Sequence, residues 1–239
     1  MENKRIFMWS GPRNISTALM YSFAQRQDTQ VVDEPLYAHY LRVTGANHPG
    51  REEVLADQDN DGLAVLEHLL CDPPNKPVLF AKQMAHHLVS IDATKLDAAR
   101  NVLLIRDPRE MLPSLVEVLG TVRVEDTGLT RQVELVQHLE KKGLDPFCID
   151  SRELLLAPEN ILRKICDRLE LPFDENMLSW SPGPRPEDGV WAPYWYSGVH
   201  RSSGFQPWKP STRAMPPEVE PLLEQCRDLY DFLYQRAIR

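Results

Sequence analysis

Short runs of consecutive apolar residues recur along this chain and alternate with longer segments of helical periodicity. The first run, Ile6-Phe7-Met8-Trp9, ends at Ser10-Gly11-Pro12 and is followed by apolar residues at helical spacing up to Phe23. Similar runs occur at residues 31–32, 78–81, 102–105 and 147–149. Parallel strands that helices cover on both faces are apolar throughout, and each is followed by a crossover helix. The alternation predicts an α/β fold built on a three-layer, doubly wound and mostly parallel sheet.

The segments between these runs predict helices, and the end of the chain has a different character. Helical patterns cover about 54–70, 109–122, 129–142 and 158–170. Residues 179–216 are rich in Pro, Trp, Gly and Arg with little periodicity, which predicts a long loop before a final helix at 217–237. We expect one domain over 1–239, with a core up to about residue 175 and with the loop and the C-terminal helix closing its site.

Composition and charge narrow the class of protein. Of the 239 residues, 42% are hydrophobic, which is enough for one sizeable core. The formal net charge of −8 offers no general attraction for a polyanion, so a nucleic-acid partner is not expected. No apolar stretch approaches the roughly 18 residues of a membrane helix, and the N-terminus has no signal-peptide core. We expect a cytoplasmic protein without a membrane partner, whose four cysteines are reduced and buried.

The first strand-to-helix turn carries the residues of an anion site. In parallel sheets, ligands bind beyond the carboxyl ends of the strands, where the start of the next helix offers free N–H groups. Arg13 adds a guanidinium suited to phosphate or sulfate oxygens, and Ser16 and Thr17 add hydroxyl groups. The ATP and GTP motif G-x-x-x-x-G-K-[ST] is absent, because Ser16 and Thr17 stand in place of its second Gly and its Lys. The simpler alternative is a turn at Gly11 and Pro12 followed by a helix cap.

This turn resembles the 5′-phosphosulfate loop of the sulfotransferases, which has patterns such as PRSGTT. Here the sequence is Pro12-Arg13-Asn14-Ile15-Ser16-Thr17, with Ile15 in place of the family's Gly. A second motif of the family, R-[ND]-P-x-[DE]-x-x-x-S, matches from Arg106 to Ser114, directly after the apolar run at 102–105. The resemblance implies a fold of the P-loop NTPase type. It also implies that the first turn holds the 5′-phosphosulfate of a donor nucleotide and that Arg106 and Ser114 hold its 3′-phosphate.

A third match to the sulfotransferases lies in the late loop. Many cytosolic members have a segment R-K-G-x-x-G-x-W-K that closes over the 3′-phosphate end of the nucleotide. This chain keeps Arg201, Trp208 and Lys209 at that spacing, whereas Ser202 replaces the Lys after the Arg. The alternative is a solvated Arg beside an aromatic loop. The donor-binding residues implied by the three matches are Gly11, Pro12, Arg13, Asn14, Ser16, Thr17, Arg106, Ser114, Arg201 and Ser202.

Two segments offer a base that takes the proton of an acceptor. Glu34 follows the second apolar run, and in several sulfotransferases a Glu at this position is the proposed base. Lys82, His86 and His87 follow the third run, where cytosolic members have K-x-H with the His as base; here the nearest His comes four residues after Lys82. Glu34 is the first choice and either His is the alternative. Lys82 is a candidate to stabilise the oxygen that bridges the donor's sulfur and phosphorus.

The resemblance implies an enzyme that transfers the sulfuryl group of 3′-phosphoadenosine 5′-phosphosulfate (PAPS) to a hydroxyl or amine of a small-molecule acceptor. The other product is 3′-phosphoadenosine 5′-phosphate (PAP). No metal is expected, since sulfuryl transfer does not require one. Aromatic residues within 191–208 either wall an acceptor pocket or pack against the C-terminal helix. The alternatives are a P-loop kinase or nucleotide hydrolase and a catalytically silent PAP-binding module, and a homodimer is left open.

Overall fold

The computed structural model of this protein describes residues 3–73 and 75–239. Within these residues lies a five-stranded sheet in which all neighbouring strands are parallel. The strands are β1 (Lys4–Ser10), β2 (Thr29–Asp33), β3 (Val78–Met84), β4 (Arg100–Ile105) and β5 (Phe147–Asp150), in the order β2-β3-β1-β4-β5. Each apolar run named above lies in a strand. The predicted α/β fold with a parallel sheet is therefore confirmed.

Helices cover both faces of this sheet. They are α1 (Ser16–Ala24), α2 (Tyr37–Thr44), α3 (Arg51–Asp57), α4 (Gly62–Cys71), α5 (Pro108–Leu119), α6 (Leu129–Lys141), α7 (Ser151–Leu156), α8 (Pro158–Arg168), α9 (Ala192–Trp195) and α10 (Glu220–Tyr234). Alternate residues of β1 point to opposite faces. Ile6 and Met8 pack in a core with α1 and α8, whereas Phe7 and Trp9 pack in a core with α4 and α6. The strand has no polar face because both of its faces are buried.

The segment predicted as one helix over 54–70 is two helices. α3 ends at Asp57 and α4 begins at Gly62. The Asp61 Oδ1 accepts hydrogen bonds from the N–H groups of Leu63 and Ala64, so Asp61 starts a new helix instead of continuing the previous one. The sequence patterns also do not predict α2 and α7. These helices are too short for periodicity to show, and packing rather than intrinsic propensity stabilises them.

The late loop has no repeating apolar pattern, and tertiary contacts hold its structure. It contains α9 and a 3₁₀ turn at Val199–Arg201. The N–H of Trp180 donates to the carbonyl oxygen of Ser203 at 3.1 Å, which pairs the two ends of this stretch. Trp180 itself is buried against α1, where its ring meets Tyr21 edge-on. The loop is thereby held on the sheet at the end that carries the candidate residues.

The C-terminal helix is a core element. Leu223, Cys226 and Leu233 of α10 are buried in a cluster that also holds residues of α5, α6 and β4. Among the described residues, those of α10 do not line the cavity reported below, and closure of the site by this helix stays a prediction. Three cysteines are buried as predicted, but Cys71 is exposed because it ends α4 on the solvent side. Neither described stretch of the chain contains a helix that is long and apolar enough to cross a bilayer.

Candidate active site

The sheet order brings the candidate residues to one edge. The carboxyl ends of β2, β3, β1 and β4 lie side by side, and each strand leads into a segment with a predicted site residue. A cavity of about 550 Å³ lies at this edge. Its lining includes Pro12, Arg13, Asn14, Ser16, Thr17, Glu34, Lys82, His86, His87, Arg106, Arg201 and Ser202. Of the other two candidates, Gly11 precedes Pro12 and Ser114 contacts Arg13. The structure thus brings together residues that were selected from separate segments.

The turn between β1 and α1 is held by contacts with β4 and α5. Arg13 has a left-handed backbone, with φ at 58°, and the Arg106 Nη1 donates to its carbonyl oxygen at 2.7 Å. The Arg13 Nε donates to the Ser114 Oγ at 2.8 Å. The Asn14 Nδ2 donates to the carbonyl oxygen of Leu104 at 3.0 Å. A left-handed conformation is unfavourable for a non-glycine residue, so these contacts maintain a shape that the isolated turn would rarely adopt.

Gly11 allows the same turn to approach a neighbouring segment. A Cβ at this position would lie 2.5 Å from the carbonyl oxygen of Thr127, which ends the 3₁₀ turn at Val124–Thr127. Because that distance is far below van der Waals contact, only glycine fits here without a shift. The close approach brings Asp126 to the cavity wall.

Positive charge is concentrated at this end of the cavity. Burial lowers the pKa of Arg13, and the nearby charges of Arg213 and Arg106 lower it further. Desolvation and like charges both disfavour the charged form of an arginine, and Arg13 itself stays exposed to solvent. The Arg106 Nε contacts the Glu110 Oε2 at 3.3 Å, while the Arg106 side chain is 25% exposed. An anion bound near Arg13 and Arg106 would supply the missing negative charge.

A buried ion network lies where β2 and β3 end. Lys82, which is 1% exposed, donates from its Nζ to the Asp33 Oδ1 and the Glu34 Oε1, each at 2.6 Å, and to the Tyr196 hydroxyl at 2.5 Å. An ammonium group has three donors, so all of them are used. Burial raises the pKa of Glu34 more than Lys82 lowers it, and Asp33 raises it further. Burial opposes the charge of Lys82, but the two carboxylates outweigh burial and raise the pKa of this lysine.

The backbone of Glu34 is strained. Its φ is 38°, and its N–H donates to the carbonyl oxygen of Lys82 at 2.8 Å. The Gln58 Nε2 donates to the carbonyl oxygen of Glu34 at 3.1 Å. Strained conformations that the surroundings maintain are frequent at functional sites. Glu34 is such a residue, and its carboxylate accepts from the Lys82 Nζ at 2.6 Å.

Tyr196 connects the ion network to the late loop. Its hydroxyl donates to the Asp33 Oδ2 at 2.7 Å and accepts from the Trp191 Nε1 at 3.0 Å. The N–H of Gly189 also donates to the Asp33 Oδ2, at 3.3 Å. Burial, and then the Asp33 charge, raises the pKa of Tyr196, so the hydroxyl stays protonated. Asp33 therefore orients Lys82 with one oxygen and anchors the late loop with the other.

Aromatic and imidazole rings line the cavity beside Glu34. His87 is 1% exposed and stacks on Tyr37 and Tyr40, with centroid distances of 4.9 and 4.7 Å. The His48 Nδ1 lies 2.9 Å from the Tyr37 hydroxyl, and the His86 ring meets Tyr40 edge-on. Burial lowers the pKa of His86 to about 4, and it also lowers the pKa values of His87 and His48. Within the described stretches, no group of three or more His, Cys, Asp or Glu residues is arranged to hold a metal.

The late-loop residues lie partly in the cavity and partly in packing contacts. Arg201 is exposed and lines the cavity. Ser202 also lines the cavity, but its hydroxyl donates to the carbonyl oxygen of Val199 at 2.7 Å and accepts from the Trp180 Nε1 at 3.2 Å. The Trp208 Nε1 donates to the Glu110 Oε1 at 2.9 Å. Trp208 thus attaches the loop to the helix that follows Arg106.

Sequence reasoning missed half of the ion network. It selected Glu34 and Lys82 but not Asp33 or Tyr196, and it also missed the two tyrosines of α2. Asp33 was a detectable candidate, because it precedes Glu34 at the end of the same strand. Tyr196 was a candidate only as one of the late-loop aromatic residues that could wall a pocket. Its contact with Asp33 was not predictable, since the two lie 163 residues apart.

Comparison with known structures agrees with the fold. The sulfotransferase from Alicyclobacillus acidocaldarius is 12% identical in sequence, with a TM-score of 0.59 over 100% of this chain and 98% of that chain. The sulfotransferase domain from the Synechococcus PCC 7002 olefin synthase is 17% identical, with a TM-score of 0.53 over 95% of this chain and 96% of that chain. At these identities the likeness is one of fold.

Comparison of sequences identifies the family. Two relatives from Arabidopsis thaliana, branched-chain-amino-acid aminotransferase-like proteins 1 and 2, are 42% and 40% identical over 233 and 229 residues. The matches cover 97% and 95% of this chain but only 42% and 41% of those proteins, so the chain spans about two fifths of their length. The family described as sulfotransferase domain matches residues 4–237. The chain therefore belongs to the sulfotransferase domain family.

Proposed function

We propose that this chain transfers the sulfuryl group of PAPS to a hydroxyl or amine of a small-molecule acceptor. The proposal rests on one cavity that joins a cationic turn, with Arg13 and Arg106, to a buried pair of Glu34 and Lys82 at 2.6 Å. Sulfuryl transfer needs both parts, because the donor's charge must be neutralised and the acceptor's proton must be removed. Membership of the sulfotransferase domain family supports a sulfuryl donor.

The cationic turn holds the donor in this proposal. Arg13 and the N–H groups at the start of α1 bind the 5′-phosphosulfate, and Ser16 and Thr17 provide hydroxyl donors. Arg106 and Ser114 bind the 3′-phosphate, so the Ser114 hydroxyl is shared between that phosphate and the Arg13 Nε that it now contacts. The uncompensated charge at Arg13 fits a ligand that carries several anionic groups.

Glu34 acts as the base and Lys82 stabilises the leaving group. The acceptor oxygen or nitrogen forms a bond to sulfur while the bond from sulfur to the bridging oxygen of the 5′-phosphate breaks. The electron pair of that bond leaves with the phosphate to give PAP, and the acceptor proton moves to the Glu34 carboxylate. Lys82 redirects one of its three N–H groups from its present partners to the bridging oxygen as negative charge develops there.

The surroundings favour Glu34 over either histidine as the base. Burial raises the pKa of Glu34, which makes its carboxylate a better proton acceptor than an ordinary one. Burial lowers the pKa of His86 to about 4 and lowers that of His87 as well, so both imidazoles are weak bases. The stacking of His87 between two tyrosine contacts also fits a wall of the site.

Calorimetric titration with PAP, and separately with ATP and Mg²⁺, tests the donor. We expect micromolar or tighter binding of PAP and no binding of ATP. The reverse result would favour a kinase or nucleotide hydrolase. Incubation with radiolabelled PAPS and a panel of acceptors then separates an enzyme from a silent PAP-binding module. The aminotransferase-like name of the relatives is not part of this proposal, since the match spans about two fifths of those proteins.

A further inference from the structure

We infer that Gln58 is a positioning residue that holds Glu34, the proposed base, in its unusual backbone conformation. The catalytic part of this inference rests on the proposed function. Gln58 directly follows α3 and lies 24 residues after Glu34 in the sequence. It is not among the described residues that line the cavity, so it acts through Glu34 and does not contact a substrate.

The backbone conformation of Glu34 is unfavourable for two separate reasons. Its φ of 38° lies in the left-handed region, which residues with a Cβ atom rarely adopt. Glu34 also precedes Pro35, and a proline favours extended backbone angles in the residue before it. Contacts with other parts of the fold must therefore maintain this conformation.

The side-chain amide of Gln58 bridges the turn that carries Glu34. Its Nε2 donates to the carbonyl oxygen of Glu34 at 3.1 Å, and its Oε1 accepts from the N–H of Ala38, also at 3.1 Å. An amide provides a donor and an acceptor in one planar group, and here both are used. The bridge spans residues 34–38 and so holds the backbone on both sides of Pro35.

The bond to Ala38 also completes the start of α2. The first N–H groups of a helix have no partner within the helix, and a side chain at the N-cap often accepts from one of them. The N-cap residue of α2 is Leu36, whose side chain has no acceptor. Gln58 supplies the acceptor from another segment. It thereby joins the first turn of α2 to the strained residue that precedes it.

The position of Gln58 does not depend on its amide alone. Val54 of α3 is fully buried in a cluster with residues of α2. After α3, the carbonyl oxygen of Asn60 accepts from the Arg42 Nε of α2 at 2.9 Å. These contacts hold the segment on either side of Gln58. Removal of the amide should therefore leave the segment in place and release only the turn at Glu34.

Loss of the bridge would move the Glu34 carboxylate. Its Oε1 lies 2.6 Å from the Lys82 Nζ, and only 9% of Glu34 is exposed. Without the bond from Gln58, the turn can relax toward extended backbone angles, which redirects the side chain. A displacement of about 1 Å near a catalytic group can slow a reaction by about 100-fold. Donor binding should not change, because Arg13 and Arg106 follow other strands.

Gln58→Met tests the contact without donor or acceptor. Methionine is about as long as glutamine but cannot replace its two hydrogen bonds. The pKa of Glu34 is measured by NMR on protein labelled at the glutamate carboxyl carbons, and the signal that is missing in Glu34→Gln identifies Glu34. Burial raises this pKa more than Lys82 lowers it, so we expect the pKa to fall when the carboxylate leaves its buried place. An unchanged or higher pKa would overturn the inference.

Hydrolysis of radiolabelled PAPS tests the effect on the reaction, with water as the acceptor. The oxygen of water bonds to sulfur, the bond from sulfur to the bridging oxygen breaks to give PAP and sulfate, and a proton of water moves to Glu34. We expect Gln58→Met to slow this step by about 10- to 100-fold. The calorimetric affinity for PAP should not change.

A double-mutant cycle separates positioning from a general loss of structure. If Gln58 acts only through Glu34, Gln58→Met should cause no further slowing in the Glu34→Gln background. Arg42→Met is the matched control, since it removes a bond that holds the same segment on α2 but does not contact Glu34. We expect Arg42→Met to lower stability without slowing hydrolysis. Further slowing in the double variant, or equal slowing by Arg42→Met, would contradict a positioning role.

The inference and the proposed function fail in different ways. If Glu34→Gln does not slow hydrolysis, the proposed base is wrong, and the pKa measurement still decides whether Gln58 holds Glu34 in place. If Glu34→Gln slows hydrolysis and Gln58→Met does not, only the positioning role of Gln58 is wrong.

Discussion

The cationic turn and the Lys82 network lie in one cavity but are built in opposite ways. At the turn, Arg13 lies near the like charges of Arg106 and Arg213, and its Nε donates to the uncharged Ser114 hydroxyl. At the network, Lys82, Asp33 and Glu34 are almost completely buried, and the single cation is paired with both carboxylates. An anionic ligand would therefore complete the turn, whereas the cation of the network has its partners before any ligand binds.

This difference follows from the cost of burying charge. An uncompensated cation is tolerated only where water still reaches it, as at the exposed Arg13. A fully buried ammonium such as Lys82 needs partners within the fold. We therefore expect substitutions at the turn to change donor affinity and substitutions in the network to change the rate and its pH dependence.

The largest expected effect is that of Glu34→Gln on the transfer rate. Loss of a general base typically slows the reaction by about 10²- to 10⁴-fold, and the amide keeps the shape of the side chain. PAP affinity should not change, because Glu34 lies outside the cationic turn. Transfer from radiolabelled PAPS measures the rate, and Glu53→Gln, at a carboxylate in contact with Tyr194, is the control. Normal transfer by Glu34→Gln, with loss in His86 or His87 variants, would identify a histidine base.

Arg106→Ala should show the opposite pattern, with weaker binding of PAP. Removal of a charge-assisted hydrogen bond costs roughly 1.5–3 kcal/mol, or about 10- to 150-fold in Kd. The variant also removes the contact with the Arg13 carbonyl oxygen that supports the left-handed turn. Calorimetry with PAP measures the change. Arg109→Ala is the matched control, since Arg109 is exposed in the same motif; equal losses in both variants would contradict a specific role for Arg106.

Asp33→Asn should shift the pH dependence of transfer. Asp33 raises the pKa of Glu34, and its removal also leaves Lys82 to pair with Glu34 alone, so both effects lower that pKa. A base is active when deprotonated, and the acidic limb of the kcat profile should therefore move to lower pH. If the acidic limb stays at the same pH while the overall rate falls, Asp33 has a structural role and does not set the pKa of the base.

The smallest expected effect is that of Tyr196→Phe. The variant loses hydrogen bonds to Asp33, Lys82 and Trp191, and we expect the free energy of unfolding to fall by about 1–3 kcal/mol. Transfer should slow by a few fold because Lys82 loses one of its three partners. Urea denaturation and the transfer assay measure the two effects. Tyr230→Phe removes a comparable bond to Asp150 in the core, so it should lower stability without slowing transfer.

The parts of the protein that were predictable are those encoded locally. The strand at 102–105 is a run of apolar residues, and the helix that follows begins at Pro108, where the Asp107 side chain accepts from the N–H of Arg109. Strand end, cap and arginine are adjacent in sequence, so the motif specifies both its position and its chemistry. The prediction of a single helix over 54–70 was wrong, also for a local reason. The Asp61 side chain caps a new helix there, although the apolar pattern continues through this position.

By itself, the sequence determined the parallel α/β sheet and the cationic turn, because the apolar runs of the strands, the helix starts and the Arg13 and Arg106 motifs are all short-range features. Only the tertiary structure decided which groups surround Lys82. Tyr196 meets Asp33 across 163 residues, and no local pattern specifies where a long aperiodic loop will pack. The same holds for the rings that line the cavity beside Glu34. They come from α2 (Tyr37 and Tyr40), the loop after α2 (His48), the turn after β3 (His86 and His87) and the late loop (Trp195). Their burial, which sets the pKa values of Glu34 and the histidines, exists only once those segments have packed together.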